Sequence, residues 1–186
     1  MFSLIYPPEP APLLGPKSKN SEILPVVEPT GIVTGRACRG HIHDGGLLLH
    51  PVTHLHIINR ESKIYLQKRG PGKKLLPGCW DTAVGGHVSY GEQLEETLYR
   101  EAREELGFTD FNPVFLGTYE YPGCNERELV AVFATITSQT PEPDGVEVTE
   151  GRWWTDEEIA AAPKGTITPN FLQEYARIKD TLMALL

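Results

Sequence analysis

Apolar and polar positions alternate over short stretches in the first half of the chain, and the period then changes. Pro25 to Gly35 reads as two short strands around a turn. Thr53-His54-Leu55-His56-Ile57-Ile58-Asn59 predicts a strand, with His54 and His56 on one face because strand side chains alternate. Arg60 to Ser62 turns the chain, and Lys63 to Arg69 alternates like a half-buried strand. Gly70 to Gly78 reads as a Gly/Pro/Lys loop, and Trp80 to Val88 as β-prone sequence ending in glycines. From Glu92 to Leu106 there is no Gly or Pro and helix formers dominate. Ser89-Tyr90-Gly91-Glu92 fits a capping box and Gly107 a C-terminal stop. Residues 111–121, 128–137 and 146–154 resume strand character. A helix is expected from about Asp156, and a closing helix over 168–186. This order predicts an α/β (α+β) class.

Seven of the 16 prolines fall in the first 30 residues. Residues 1–24 are therefore read as a Pro-rich arm, and residues 25–186 as one domain. The start of the chain lacks a basic segment, no apolar run approaches spanning length, and a soluble cytoplasmic protein is the expectation. Cys38, Cys79 and Cys124 show no paired spacing, so reduced thiols are expected rather than a disulfide framework or a zinc finger.

Lys plus Arg number 17 against 25 Asp plus Glu, a net charge of −8. That balance disfavours a nucleic-acid polymer or an anionic membrane as partner. Its distribution is more informative. Glu92 to Glu105 holds six glutamates and two arginines. On a helix Glu101, Glu104 and Glu105 share one arc at the edge of the apolar row Leu94, Leu98, Ala102, Leu106. Crowded carboxylates repel, and a hard cation relieves them. Just upstream, residues 60–74 carry Arg60, Lys63, Lys68, Arg69, Lys73 and Lys74 against Glu61 alone. Such a strip suits a substrate phosphate, with Lys68 and Arg69 the preferred candidates. Trp80, Trp153, Trp154, Tyr119 and Tyr121 are candidates to stack on a base, and His54 to line a pocket; core packing is the competing role. The six histidines show no zinc-ligand spacing with cysteines.

From Gly86 to Phe108 the sequence resembles the signature of the Nudix hydrolases, G-x5-E-x7-R-E-U-x-E-E-x-G-U, with U a bulky aliphatic. Ala102 is the small exception, and Phe108 counts as apolar. The resemblance implies a Nudix fold, a mixed β-sheet sandwiched between helices. It implies that Glu101, Glu104 and Glu105 carry Mg²⁺ or Mn²⁺, that Arg100 orients the carboxylates, and that Gly86 brings a backbone carbonyl near the metal. Glu92 either supports Arg100 or caps the helix. The reaction implied is hydrolysis of a pyrophosphate linkage in a nucleoside diphosphate derivative or similar organic diphosphate, with Glu101, Glu104 and an out-of-box glutamate, Glu147 or Glu150, competing as general base. A homodimer is also expected.

Leu76 to His87 and Gly35 to His41 look like segments of type I isopentenyl-diphosphate isomerases. In those enzymes a catalytic cysteine precedes a Gly-His pair. Here that place is Gly85. The intact box and the missing thiol favour a hydrolase. An isomerase-like enzyme and a non-catalytic Nudix ligand-binding module are the alternatives.

Overall fold

The structure is a computed structural model that describes residues 2–16, 21–123 and 125–186. Cys124 and part of the arm lie outside these residues. Three strands, β1 (Leu13–Leu14), β2 (Ile23–Val27) and β3 (Val33–Cys38), form a small sheet in the order β1-β3-β2. A single turn, α1 (Arg39–Ile42), leads into β4 (Leu49–Ile58). Then follow β5 (Ile64–Arg69), β6 (Trp80–Thr82), β7 (Val84–His87), helix α2 (Leu94–Leu106), β8 (Val114–Pro122), β9 (Arg127–Ile136), β10 (Val148–Trp154), α3 (Asp156–Ala161) and α4 (Pro169–Met183). The larger sheet runs β10-β5-β4-β9-β8, with β6 on β5 and β7 on β4. This is the mixed α+β architecture the pattern predicts; β1 and α1 were too short to carry a period. No described helix is long and apolar enough to cross a membrane.

The chain divides into two compact units. One comprises Met1–Thr53, Gly86–Leu98 and Gly117–Val132; the other His54–Gly85, Tyr99–Leu116 and Phe133–Leu186. In the first, Leu24, Val26, Ala37 and Ile42 form a local core. The arm is built into it. Leu4 N–H donates to Gln93 Oε1 at 3.0 Å and Gln93 Nε2 returns a bond to the Leu4 carbonyl at 3.1 Å. Tyr6 Oη donates to the Glu92 carbonyl at 2.8 Å, and Ala11 N–H donates to Tyr90 Oη at 2.8 Å. The boundary drawn at 24/25 falls inside β2.

In the second unit β10 and β5 pair antiparallel from Val148↔Arg69 to Trp154↔Ile64. Ile64, Leu66, Trp80, Trp154, Phe171 and Leu182 are part of its core. Helix α4 starts where Thr168 Oγ1 accepts from Phe171 N, with Pro169 in the first turn where its missing N–H costs nothing. Helix α3 carries a complete capping box between Thr155 and Glu158.

Candidate functional site

Helix α2 begins at Leu94, not at Glu92. Ser89 Oγ donates to Glu22 Oε1 at 2.9 Å, and Glu92 Oε2 accepts from Thr97 Oγ1 at 2.7 Å. Half of the expected capping box forms, since Glu92 Oε2 also accepts from Ser89 N at 3.4 Å, while the Ser89 hydroxyl is spent on Glu22. Instead Glu96 Oε2 accepts from Gln93 N at 2.7 Å and closes the first turn. At the other end Gly107 takes φ +57°, Gly107 N bonds the Arg103 carbonyl and Phe108 N the Ala102 carbonyl, each at 3.1 Å. This double bond pattern ends a helix on a left-handed residue, as the glycine predicts.

The apolar row Leu94, Leu98, Ala102 and Leu106 is buried, and Glu105 is buried with it at 4% exposure. Burial pushes the Glu105 carboxyl up to about 8; Lys73 opposes that rise, and Glu101 and Glu147 add to it. Glu101 is raised by the same causes, burial first, against the pull of Arg100. Arg100 Nη1 donates to Glu101 Oε1 at 2.7 Å and to Glu104 Oε2 at 3.3 Å, so one guanidinium spans two box carboxylates. Glu104 is half exposed, at 53% for the side chain. Gln67 Nε2 from β5 lies 3.4 Å from Glu105 Oε2, and Lys73 Nζ lies 3.6 Å from Glu105 Oε1.

A loop from the other side of the unit completes the cluster. Glu142 N bonds the Leu106 carbonyl at 3.0 Å and Asp144 N the Glu105 carbonyl at 2.9 Å, which satisfies two orphan groups at the helix end. Asp144 then accepts from the backbone N–H groups of Val146, Glu147 and Val148. That turn sets Glu147, whose Oε2 takes an ion pair from Lys73. Gly70 N donates to the Glu147 carbonyl at 2.8 Å, and a Cβ on Gly70 would stand 2.3 Å from the Val146 carbonyl oxygen. Only glycine fits that approach.

The remaining expected residues are placed as follows. Lys68 Nζ pairs with Glu150 Oε1 at 2.6 Å and lies 5.7 Å from the Trp80 ring centre. Arg69 Nη1 donates to Asp81 Oδ2 at 2.9 Å and its Nε to the Leu75 carbonyl at 3.1 Å. These two cations are thus held by protein groups, while Lys73 of the same strip reaches the box carboxylates. Trp80 is buried in the core edge-on to Trp154, with ring centres 5.2 Å apart. Trp153 packs on Tyr65 at 5.3 Å. Tyr119 and Tyr121 are half-buried on β8. His54 and His56 do share a face: His54 Nδ1 and His56 Nε2 bond the two oxygens of Glu174 at 2.8 and 2.5 Å. Burial raises the Glu174 carboxyl, but the two imidazoles outweigh it and hold it well below the usual carboxylate range. Gly86 is buried in β7 of the first unit, and its expected role rests on the motif alone.

The first unit holds a cluster that residue spacing did not reveal. His43, His50, His87 and Glu126 bring one ligating atom each within 4.8 Å of one another. His43 follows α1, His50 lies on β4, His87 ends β7 and Glu126 precedes β9. His50 Nδ1 donates to the Leu48 carbonyl at 3.1 Å, and burial lowers the ring's affinity for a second proton. His43 Nδ1 bonds Glu126 Oε2 at 2.5 Å. His50 therefore presents Nε2 as a lone pair, and the Nε2 atoms of His43 and His50 are both buried with no hydrogen-bond partner among the described residues. A carbonyl or carboxylate that fixes the opposite nitrogen is the usual support of a ligating histidine. The donor set is rich in nitrogen and suits a first-row transition metal, whereas the all-oxygen set on α2 suits a hard cation.

An α+β fold carries this glutamate-rich helix, and the comparisons give the family. The NUDIX domain family model matches residues 48–175, and the chain belongs to the Nudix family. The chain is 30% identical over 135 residues to an isopentenyl-diphosphate Delta-isomerase of Kocuria rhizophila, covering 69% of this chain and 75% of that one. It is 35% identical over 106 residues to an uncharacterized Nudix hydrolase of Nostoc sp., covering 54% of this chain and 62% of that one. DR0079 from Deinococcus radiodurans is a similar solved structure, with TM-score 0.71, 26% identity, and 84% of this chain and 98% of that chain covered. The expected fold, family and isomerase-like branch all stand.

Proposed function

We propose that this Nudix protein is a divalent-metal-dependent pyrophosphohydrolase acting on a nucleoside diphosphate derivative or a similar organic diphosphate. The observation that carries this reading is the carboxylate cluster on α2. Glu105 is buried, is pushed up to about 8 by that burial, and stands with Glu101 and Glu147 against the single ammonium of Lys73. An acid so placed is undercompensated, and carboxylate oxygens are the donors that suit Mg²⁺ or Mn²⁺. Glu101, Glu104 and Glu105 would hold the ion, with Gly86 proposed from its place in the motif. A bound divalent cation supplies charge neutralisation for the phosphates and an acidified water. Arg100 fixes the Glu101 and Glu104 carboxylates so that little reorganisation is needed on binding. A carboxylate takes the proton of the attacking water, and the P–O bond to the leaving phosphate breaks in line. Glu101, Glu104 and Glu147 are the candidates for that base. Glu150 is the weaker one, since it is paired with Lys68 and is 57% exposed. His54, Lys68, Arg69 and Trp80 would contribute to the substrate pocket through the groups that hold them. The cytoplasmic setting and the homodimer belong to this proposal as well.

A second reading is favoured by the names of the relatives, since the Kocuria protein and others at 25–29% identity are isopentenyl-diphosphate isomerases. Gly85, exposed on β7, offers no thiol for carbon protonation. One assay separates the two. The protein with Mg²⁺ or Mn²⁺ is incubated with nucleoside diphosphate sugars, ADP-ribose and isopentenyl diphosphate, and products are followed by ³¹P and ¹H NMR. ADP-ribose belongs in the set because the Nudix domain of Shewanella oneidensis NrtR was solved in complex with it. Release of phosphate-bearing fragments supports the hydrolase. Migration of the isopentenyl double bond with the diphosphate intact overturns it, as does inertness towards the whole set.

A further inference from the structure

Lys73 is the cation set against the buried Glu105 carboxylate. Its Nζ is paired with Glu147 Oε2 and lies 3.6 Å from Glu105 Oε1, while its side chain keeps 27% exposure against 5% for Glu105. The neighbouring cations are committed elsewhere: Arg100 to Glu101 and Glu104, Lys68 to Glu150, Arg69 to Asp81. Gln67 contributes an amide at 3.4 Å but no charge. Lys73 is therefore the ammonium that meets the most buried carboxylate of the site.

A divalent cation bound by Glu105 would take its oxygens at about 2.0–2.6 Å. The Lys73 ammonium would then face a double positive charge at close range in a partly buried site, where screening is weak. The two cations want the same oxygens and repel each other. The loop that carries Lys73 is built for such an exchange. Its base is fixed by Gly78 N to the Arg69 carbonyl at 2.8 Å and by Gly70 N to the Glu147 carbonyl at 2.8 Å. The side chains at its tip are unpacked, with Leu75 61% and Leu76 47% exposed, and the Leu75 carbonyl is held by Arg69 Nε alone among the described residues. Only the base needs to stay in place when the lysine leaves.

Resting on the reading of the box as a metal site, we infer that Lys73 is a built-in counter-cation that competes with the divalent metal. Metal binding is an exchange in which Lys73 leaves Glu105 and Glu147 and the tip of the Gly70–Gly78 loop is released. Lys73 thereby sets the metal affinity of the site and couples the loop to its occupancy.

The test titrates Mn²⁺ into substrate-free protein by calorimetry for the wild type, Lys73→Met, Lys73→Arg and Glu105→Gln. Lys73→Met keeps the aliphatic stem and removes the charge, and should bind Mn²⁺ about five- to tenfold more tightly. Lys73→Arg keeps the charge and should stay near the wild type. Hydrogen exchange gives the second readout. Saturating Mn²⁺ should speed exchange of the amides at 72–76 in the wild type, and those amides should already exchange fast in metal-free Lys73→Met. Equal or weaker Mn²⁺ binding by Lys73→Met overturns the exchange, as does a wild-type loop whose protection Mn²⁺ leaves unchanged. The two levels separate cleanly. If Glu105→Gln binds Mn²⁺ as well as the wild type, the box is not the metal site. If Glu105→Gln loses Mn²⁺ and Lys73→Met gains nothing, the exchange fails and the box reading stands.

Discussion

Two buried glutamates in one unit are held in opposite ways, and the contrast makes both testable. Glu105 has one lysine at 3.6 Å and carboxylate neighbours, so burial dominates and the acid is raised to about 8. Glu174 is fully buried, but His54 and His56 bond both of its oxygens, and the acid is held low. One arrangement asks for a further cation; the other is already neutralised. Glu105→Gln should lower kcat on the order of 10²-fold or more and remove saturable Mg²⁺ binding, with the circular dichroism spectrum unchanged. Glu174→Gln should instead act on stability, costing about 3 kcal/mol because it strips one partner from a buried ionic cluster. The melting temperature should fall by roughly 6–12 °C for a chain of this size. The pH dependence has a definite sign. A carboxyl depressed in the folded state contributes stability that is present above its unfolded value, about 4.3, and is lost as pH falls below it. Melting curves from pH 6 to pH 3 should therefore drop more steeply for the wild type than for Glu174→Gln; parallel curves would refute the assignment.

At the scale of elements, the strands β2 to β5 and β8 to β10 and the helices α2 to α4 were legible because each keeps one period over its length. Boundaries failed where side chains had a choice. Ser89 and Glu92 have the chemistry of a cap, but Glu22 and Thr97 compete for them, and the helix starts two residues later. Nothing local in the sequence ranks those partners. Glycines near the box show the same division. Gly107 is required by its positive φ, a local property that the sequence announces. Gly70 is required by a carbonyl from residues 76 positions away, which no local pattern records. The two should respond differently to alanine. At Gly107 a Cβ meets nothing nearer than the Glu142 carbonyl oxygen at 3.9 Å, so the cost is the left-handed conformation alone, about 1 kcal/mol, with kcat kept within about twofold. Gly70→Ala forces the backbone at Val146 and Glu147 to move, because the new atom would lie 2.3 and 2.9 Å from their carbonyl oxygens. It should cost about 1–3 kcal/mol and also lower kcat about tenfold or more, since Glu147 and Lys73 are set by that contact. Urea melts paired with steady-state kinetics on both variants distinguish the two requirements.

For the molecule as a whole, the net charge of −8 understated the chemistry. The oxygen-donor cluster was legible because three of its carboxylates, Glu101, Glu104 and Glu105, lie within five residues of one helix. The nitrogen-donor cluster was not, because His43, His50, His87 and Glu126 come from two strands and two connecting segments and share no spacing. The hint available was negative: six histidines with no cysteine partners. The two donor sets fall in different units and differ in softness, so one ion should not serve both. Protein stripped with a chelator and returned to Mg²⁺ alone should recover binding at the carboxylates and leave the histidines without a metal. Addition of Co²⁺ or Zn²⁺ should then bind one further equivalent, with a visible d–d spectrum for Co²⁺, and raise the melting temperature by mass action. His50→Ala should lose that equivalent and its thermal shift while retaining Mg²⁺ binding. Glu105→Gln should do the reverse. Affinity should fall as pH is lowered, because protons compete with the metal for the ring nitrogens. Metal analysis of the purified chain gives the direct check, and a histidine-cluster variant that carries as much Co²⁺ as the wild type would remove the site.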